Sequence, residues 1–438
     1  GQAVLLNLKV SMMSELLLQG GRVLDKAGDR FADVLIDDEG RIAEIGKGLK
    51  GKETLDVQGK IVSSGFVDLN AYLGGPEDQL SETITSGTES AVKGGYTAVV
   101  AISRNSVVAD NASSVKALME LSQEASCEII VAGSATLHND AGTMSPLGEI
   151  SDTGAKLFSA SGPPLTDFET TRRIMEYSQK YDITLLYSCS NSFLSPKGVM
   201  NEGSVSSQLG IPGIPAVAEE IEVFQLSQLA LLTGANLHFQ QISTAKSIEI
   251  INEAKSNGAS ITCEVSPHHI SLDESFITSF DARYKVLPPL RSKQEIASVK
   301  ELITSVDAIA TGHSPCQDHL KQQAFADAPF GTTGLEAALG ASIMHLDIPL
   351  KEILRLMSWS PAEIAGIADT HGGDLVPGRP ANLAVFDPEA TWVVKGDQAA
   401  SKCSVTAFED IELKGLVSHT LVNGKLVVID GVVQDHGR

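Results

Sequence analysis

The side chains best suited to chemistry lie in two short segments in the second half of the chain. His313, Cys316 and His319 follow the spacing H-x2-C-x2-H, and imidazole and thiolate groups at this spacing in a loop can bind zinc. A fourth ligand would have to come from His268 or His269, which follow an apolar, strand-like segment. Without a fixed fourth ligand, these side chains are more typical of loop residues and of hydrogen-bonded interior histidines.

Other catalytic motifs are absent. The sequence contains no G-x-x-x-x-G-K-[ST] phosphate loop, no G-x-G-x-x-G after a strand and no G-x-S-x-G nucleophile motif. The cysteines are odd in number and form no C-x-x-C pair, so a disulfide framework is not predicted and a reducing cytoplasm is the expected environment. They are Cys127, Cys189, Cys263, Cys316 and Cys403.

The charge balance excludes some partners. The chain has 438 residues, with 33 Lys plus Arg against 55 Asp plus Glu, and a net charge of -22. Such an acidic surface repels a phosphate backbone, so no nucleic acid partner is expected. The apolar runs are far shorter than the ~20 residues that span a bilayer, so no membrane segment is expected either. Residues 1–11 are predicted to be a leader or an added segment outside the fold.

Both ends of the chain have a β-rich pattern. Short alternating segments are separated by turn residues such as those at 37–40, and Asn423-Gly424 suits the tight turn of a hairpin. We therefore predict that residues 14–64 and 374–434 together form one small β-sandwich domain.

The middle of the chain, residues 65–373, alternates short apolar strands with helical segments. Strands of this kind are typical of a parallel sheet that is covered on both faces. About eight strands can be counted, which is the number that closes a (β/α)8 TIM-type barrel. Functional side chains are then expected where the strands end.

Eight short motifs, in the same order along the chain, carry a resemblance to a known family. They lie at residues 65–69, 94–97, 201–203, 219–221, 261–265, 288–291, 360–362 and 377–382. Together they resemble the dihydroorotase family of the amidohydrolase superfamily, in particular its long bacterial type. This resemblance implies a barrel of the amidohydrolase kind, with zinc as the cofactor of the active members.

The resemblance also implies where the metal ligands should lie. The two histidines that end the family's first barrel strand fall on Asn70 and Tyr72, and the acid that bridges the metals falls on Ala160. Asparagine and a neutral phenol are poor zinc ligands, and alanine has no ligand atom. The remaining two histidine ligands and the aspartate that activates water fall on Ser188, Gln241 and Gly312.

The substrate contacts implied by the resemblance are replaced as well. The arginine that suits a substrate carboxylate falls on Gly74. Two asparagines fall on Arg104 and Leu287, and a histidine falls on Cys316. These positions are therefore predicted to be vestigial.

Zinc supplies the family's chemistry by polarising a carbonyl group and by lowering the pKa of its bound water to ~7. Without its ligands, the chain is predicted to be a dihydroorotase-like pseudoenzyme of pyrimidine biosynthesis with no catalytic residue, no metal and no cofactor. The resemblance to inactive members of the family implies aspartate carbamoyltransferase as a partner, and a homo- or hetero-oligomer.

Two alternatives stay open at this point. One is an active cyclic amidohydrolase with a relocated metal site. Its ligands would be drawn from His268, His269, His313, Cys316 and His319. The other is a small-anion binding protein that uses the emptied barrel mouth, where Arg104 could hold the anion.

Overall fold

The computed structural model describes residues 14–75, 78–102, 108–139, 142–160 and 167–435. The predicted leader segment 1–11 and Arg104 lie outside these ranges. Within them, no helix is both long enough and apolar enough to cross a membrane.

The strands of the described residues fall into five sheets. They are β1 (Leu16–Gln19), β2 (Arg22–Asp25), β3 (Gly28–Phe31), β4 (Asp33–Ile36), β5 (Ile42–Gly46), β6 (Glu53–Asp56), β7 (Ile61–Ser64), β8 (Phe66–Ala71), β9 (Tyr96–Ala101), β10 (Glu128–Val131), β11 (Gly133–Ser134), β12 (Leu157–Ser159), β13 (Thr184–Ser188), β14 (Met200–Asn201), β15 (Gly213–Ile214), β16 (Asn236–Gln240), β17 (Ile261–Val265), β18 (Ala308–Ile309), β19 (Leu383–Val393), β20 (Glu412–Val422), β21 (Lys425–Ile429) and β22 (Val432–Val433).

Six of the thirteen described α-helices begin at a side chain that accepts a hydrogen bond from the first turn. Thr83, Asn111, Asp167, Thr244 and Ser292 cap five of them in this way, which satisfies amide groups that the helix leaves free. The helices are α1 (Ile84–Lys93), α2 (Ala112–Leu121), α3 (Leu147–Ser151), α4 (Phe168–Lys180), α5 (Ser204–Leu209), α6 (Val217–Thr233), α7 (Ala245–Ser256), α8 (Pro267–Ser271), α9 (Lys293–Glu301), α10 (Asp318–Lys321), α11 (Ala338–His345), α12 (Leu350–Leu354) and α13 (Ser360–Ile364).

Two parallel sheets form the central barrel. One has the order β10-β9-β8, and the other has the order β11-β12-β13-β16-β17-β18. The first and last strands meet through a parallel bridge between Ala71 and His313, where the Tyr72 amide donates to the His313 carbonyl oxygen at 2.8 Å. At the other seam the chain passes from β10 to β11 within a few residues. The predicted α/β barrel with a β-sandwich is confirmed.

Strands from the two ends of the chain share one sheet. Its order is β22-β21-β20-β19-β7-β2-β3, and β19 runs antiparallel to β7 with Leu383 opposite Ser64. A second sheet, β5-β4-β1-β6, comes from the first part of the chain alone. The Phe386 ring of β19 lies 6.0 Å from the Phe66 ring at the start of the first barrel strand. The domain boundaries at 64/65 and 373/374 remain a prediction.

Candidate active site

A buried cluster of polar side chains lies where three barrel strands end. Its centre is Glu264 of β17, which accepts hydrogen bonds from Asn70 Nδ2 at 2.9 Å and from the Gln241 backbone amide at 3.3 Å. His238 of β16 lies 2.8 Å from the second carboxylate oxygen through Nε2 and 2.8 Å from the Thr262 hydroxyl through Nδ1. The side chains of His238 and Glu264 are fully buried. A neutral imidazole that donates from Nε2 and accepts at Nδ1 satisfies all of these contacts.

A second buried carboxyl group, Asp68 of β8, belongs to the same cluster. It accepts hydrogen bonds from the backbone amide and the hydroxyl of Thr311. The backbone amide of Asn70 lies 3.4 Å from Asp68 Oδ1. Burial raises the pKa of Asp68 to about 7, the bonds from Thr311 oppose that rise, and the charge of Glu264 adds to it. Desolvation of an ionised carboxylate is the physical cause.

The positions where the family resemblance places metal ligands are only partly brought together. Asn70 and Gln241 both contact Glu264, and Gln241 has a backbone φ of 48°, in the left-handed region. Ser188, at the end of β13, donates from its hydroxyl to Gln240 Oε1 at 3.3 Å. Tyr72 points elsewhere, since its hydroxyl donates to Asp78 Oδ2 at 2.6 Å.

Two of these positions, Ala160 and Gly312, have no side chain that could bind a metal or act as a base. Ala160 contributes its backbone amide to the Leu186 carbonyl oxygen of β13. Gly312 has a φ of 59°, and a Cβ atom placed there would lie 2.1 Å from Gln241 Nε2. A side chain at position 312 would therefore need the Gln241 amide to move.

The residues present do not fit the zinc that the fold family implies. A catalytic zinc site uses three protein ligands and one open position. Across the described residues, no group of three His, Cys, Asp or Glu side chains is placed to hold a metal ion. The Asn70 amide nitrogen is already bonded to Glu264, and a protonated amide nitrogen is not a metal ligand.

The positions that resemble substrate contacts lack a cationic group where the structure describes them. Gly74 has a φ of 72°, and a Cβ atom there would lie 2.2 Å from the Glu82 carbonyl oxygen. Leu287 is half-exposed and precedes a cis bond to Pro288. Cys316 is buried, with its sulfur 3.3 Å from the Phe330 carbonyl oxygen. The fourth position, Arg104, lies outside the described residues.

The residues of the H-x2-C-x2-H segment do not converge on a common centre. Nε2 of His313 lies 2.9 Å from Glu82 Oε2, and both side chains are fully buried. Nδ1 of His313 accepts from the Gly334 amide at 3.2 Å, so both ring nitrogens have protein partners. His319 lies in the short helix α10 and is exposed. A metal at this segment would have to break the His313–Glu82 pair.

The adjacent histidines of α8, His268 and His269, are also buried in the interior. His269 lies 2.6 Å from the Pro288 carbonyl oxygen through Nε2 and 2.5 Å from the Ser266 hydroxyl through Nδ1. Burial lowers the pKa of His269 to about 4 and holds the pKa of His268 well below its usual value, because a charged imidazole loses its hydration there. Both rings are therefore neutral near pH 7.

Three of the family-like motifs meet in a buried network beside the barrel. Arg291 donates from Nε to the Ser243 hydroxyl and from Nη1 to Asn201 Oδ1, both at 3.0 Å. Its Nη2 lies 3.6 Å from Glu219 Oε2 of α6. Glu219 also accepts bonds from the Ser243 and Thr244 amides. These motif residues hold segments of the fold together.

Sequence reasoning missed the residues that form the centre of the cluster. No role was assigned to Asp68, His238 or Glu264, although Asp68 and Glu264 are charged side chains within otherwise mostly apolar strands and His238 lies between Leu237 and Phe239. That pattern was the available signal, because a buried polar group in a strand needs a partner.

Comparison with known proteins gives a consistent result. The sequence pattern of the Dihydro-orotase-like family matches residues 59–247. The chain is 36% identical to a protein named dihydroorotase from Geobacter metallireducens, over 94% of this chain and 99% of that protein. It is 35% identical to another dihydroorotase, from Pelotomaculum thermopropionicum, over 96% of this chain and 100% of that protein.

Solved structures with a similar fold include a dihydropyrimidinase from Brevibacillus agri NCHU1002, with a TM-score of 0.83 and 20% identity over 96% of both chains. An L-hydantoinase from Arthrobacter aurescens has a TM-score of 0.83 and 21% identity over 97% of this chain and 98% of that one. At this identity, the likeness shows the fold alone.

Proposed function

This chain belongs to the dihydroorotase-like family, and we propose that within it the chain is a catalytically inactive protein of pyrimidine biosynthesis. The observation that carries the proposal is the bond from Asn70 to Glu264. It places an amide donor, already engaged, at the position where the resemblance puts the first zinc-binding histidine. Gly312 offers no base at the position of the water-activating aspartate.

The chemistry of ring opening supports this proposal. Without metal and base, the developing charge on the carbonyl oxygen and the attacking water has no evident source of stabilisation among the described residues. The name dihydroorotase belongs to the relatives, which are 36% and 35% identical to this chain. At that distance, a relative's name does not establish which ligands this chain has kept.

Metal content tests the inactive state without an activity assay. The purified chain is dialysed against ZnCl2, passed through a desalting column and analysed for zinc by mass spectrometry, with the Geobacter metallireducens protein treated in parallel. We expect zinc well below one ion per chain. One zinc ion per chain would contradict this expectation. If that zinc stays bound in Gly312→Ala and is lost in His313→Ala, the result favours the relocated site.

For the role that remains, we propose structural support of aspartate carbamoyltransferase. This partner follows from the resemblance to inactive family members. A folded barrel can still provide a binding surface when it has no catalytic activity. Size-exclusion chromatography of the chain with and without the transcarbamoylase of the same organism tests it. We expect the two to elute together at a mass above either alone. Separate elution over a wide range of concentrations would contradict the partnership.

One observation favours the second candidate function, a small-ligand binding protein. Gln240 is buried at the end of β16, and its Nε2 atom has no hydrogen-bond partner among the described residues. A ligand with an acceptor oxygen could complete this group, since an unsatisfied buried donor costs ~1–3 kcal/mol. Thermal shifts with orotate and with carbamoyl aspartate test this function, because a ligand that binds only the folded state raises Tm.

A further inference from the structure

A cleft lies where the helices α1 and α11 meet the sheet that the two chain ends share. Its volume of about 660 Å³ is within the ~300–1,000 Å³ that is usual for small-molecule sites, which often lie between domains. None of its lining residues belongs to the buried cluster at the barrel strands, so the α1–α11 cleft is a separate cavity. Its lining includes Lys93, Glu336, Leu339, Trp392, Lys395 and Gln398.

Trp392, near the end of β19, gives the α1–α11 cleft an aromatic wall. Its indole nitrogen donates to the Gly415 carbonyl oxygen of β20 at 2.9 Å, and the side chain is half-buried. The buried residues Leu339 of α11 and Val417 of β20 line the same cleft. An indole that is held in place beside aliphatic side chains is a good stacking surface for a planar ring.

The inner charged groups of the cleft are paired with each other. Lys93 Nζ lies 3.0 Å from Glu336 Oε2 and donates to the Gln398 backbone carbonyl oxygen at 2.7 Å. Glu336 also accepts hydrogen bonds from the Ser90 hydroxyl and the Ala400 amide. This carboxylate therefore has its charge balanced and its oxygens bonded within the protein.

At the rim of the cleft, the charged groups are mostly acidic. Lys395 pairs with Asp410, and the other charged groups that act on it are Glu409 and Asp397. Both lysines that line the cleft thus have acidic partners, and the whole chain has a net charge of -22. The cleft therefore favours a neutral ligand over an anionic one.

The polar group best suited to a neutral ligand is the side chain of Gln398. Its backbone carbonyl group is held by Lys93, whereas its side-chain amide makes no hydrogen bond to another described residue. A carboxamide offers an acceptor oxygen beside two donor hydrogens. That pattern is complementary to a ring edge that carries an N–H group next to a C=O group. Stacking on an aromatic side chain together with hydrogen bonds to such an edge is how proteins recognise unstacked bases.

We propose that the α1–α11 cleft binds a neutral planar ring that carries an N–H group next to a C=O group, which is the pattern of a free uracil-type base or its nucleoside. The ring stacks on Trp392, and its N–H and C=O groups pair with the side-chain amide of Gln398. This proposal concerns a second cavity. It therefore goes beyond the proposed function and does not depend on whether the barrel mouth binds a ligand.

Titration of the full chain with uridine and with uracil, followed by tryptophan fluorescence, tests the proposal. The chain has two tryptophans, Trp392 and the buried Trp359, so a ring that stacks on Trp392 quenches part of the emission. We expect saturable quenching by uridine. Similar quenching by uracil identifies the base as sufficient, and quenching by uridine alone identifies the nucleoside. A uridine that is methylated at its ring N–H keeps the stacking but loses the hydrogen bond, so its dissociation constant should be at least ~10-fold higher.

Three variants complete the test. Gln398→Ala removes the amide of an exposed side chain and should raise the dissociation constant for uridine by at least ~10-fold. Gln294→Ala is the matched control, because Gln294 is exposed on α9 and does not line the cleft. Trp392→Phe leaves Trp359 as the only tryptophan, and its emission should not respond to uridine.

Circular dichroism and the Tm of each variant establish that it folds, and the comparison of uridine with its methylated form needs no variant at all. The proposal is overturned if the parent shows no saturable quenching, or if uridine and methylated uridine bind equally well. Equal binding of uridine by Gln398→Ala and the parent would also overturn it. So would a rise in Tm with uridine that is the same in Gln398→Ala as in the parent, because the ligand would then be bound outside the α1–α11 cleft.

Discussion

Position 70 carries an amide side chain where the family resemblance puts an imidazole, and this amide makes a buried hydrogen bond. Asn70 donates to Glu264, which also faces His238 and the Gln241 amide. The carboxylate therefore has three partners in a site without water-exposed surface, and buried charges need such partners. The position that the resemblance assigns to a metal ligand thus belongs to a buried hydrogen-bond network.

The first prediction concerns this bond. Asn70→Ala removes a donor from buried Glu264 and should lower the free energy of unfolding by about 1–3 kcal/mol. Urea unfolding followed by circular dichroism measures the change. Asn257→Ala is the control, because Asn257 is exposed at the end of α7 and its loss should have little effect. Equal stability of Asn70→Ala and the parent would show that the bond does not hold the cluster together.

The second prediction concerns the pH dependence of stability. The pKa of Asp68 is about 7 in the folded chain, against ~3.9 when unfolded. The folded state therefore keeps a proton that the unfolded chain releases, and stability falls as the pH rises from about 4 to about 7. In Asp68→Asn this contribution is absent, while the amide can still accept from the Thr311 backbone and donate to its hydroxyl.

We therefore expect the parent to lose more free energy of unfolding between pH 5 and pH 8 than Asp68→Asn does. Titrating groups that do not interact with Asp68 contribute equally to both proteins, so the difference reports Asp68 and its coupling to Glu264. Parallel pH profiles of the two proteins would contradict an elevated pKa at this residue.

At the scale of elements, the strands could be predicted from the sequence because they are short, apolar and separated by helical segments. The hairpin at Asn423-Gly424 is found between β20 and β21, since its turn chemistry is local. The pairing of His238 with Glu264 could not be predicted, because it depends on the register between β16 and β17. In that register His238 lies opposite Thr262, and alternation along the strand then brings Glu264 to the same side.

Arg291 has a comparable role between elements, and the third prediction tests it. Its guanidinium group joins Asn201 at the end of β14, Ser243 after β16 and Glu219 of α6. Arg291→Met leaves buried Glu219 without its cation and should cost about 3–5 kcal/mol of stability.

Arg283→Met serves as the control, since the Arg283–Asp281 pair is about one-third exposed and such pairs contribute ~0–1 kcal/mol. The two variants are compared by urea unfolding. A similar, small loss in both would mean that the Arg291 network is not what fixes these segments.

At the scale of the whole molecule, the sequence predicts a barrel and a terminal β-sandwich, and the structure has both. The residues at the positions that the resemblance assigns to metal ligands could be named one by one, because the flanking motifs stay in order. The buried network in this part of the barrel could not be predicted, because Asp68, Asn70, His238, Glu264 and Thr311 come from four separate strands or strand ends. Closure of the barrel brings them together, and only the structure shows that they satisfy one another.

The most direct test of the central claim is turnover. Carbamoyl aspartate and dihydroorotate are each incubated with the full chain in the presence of zinc, and their interconversion is followed by chromatography, with the Geobacter metallireducens protein as the positive control. We expect no rate above that of zinc in buffer, because no group of three described His, Cys, Asp or Glu side chains is placed to hold a metal ion and Gly312 has no side chain to act as the base. A rate that a chelator abolishes and added zinc restores would contradict it.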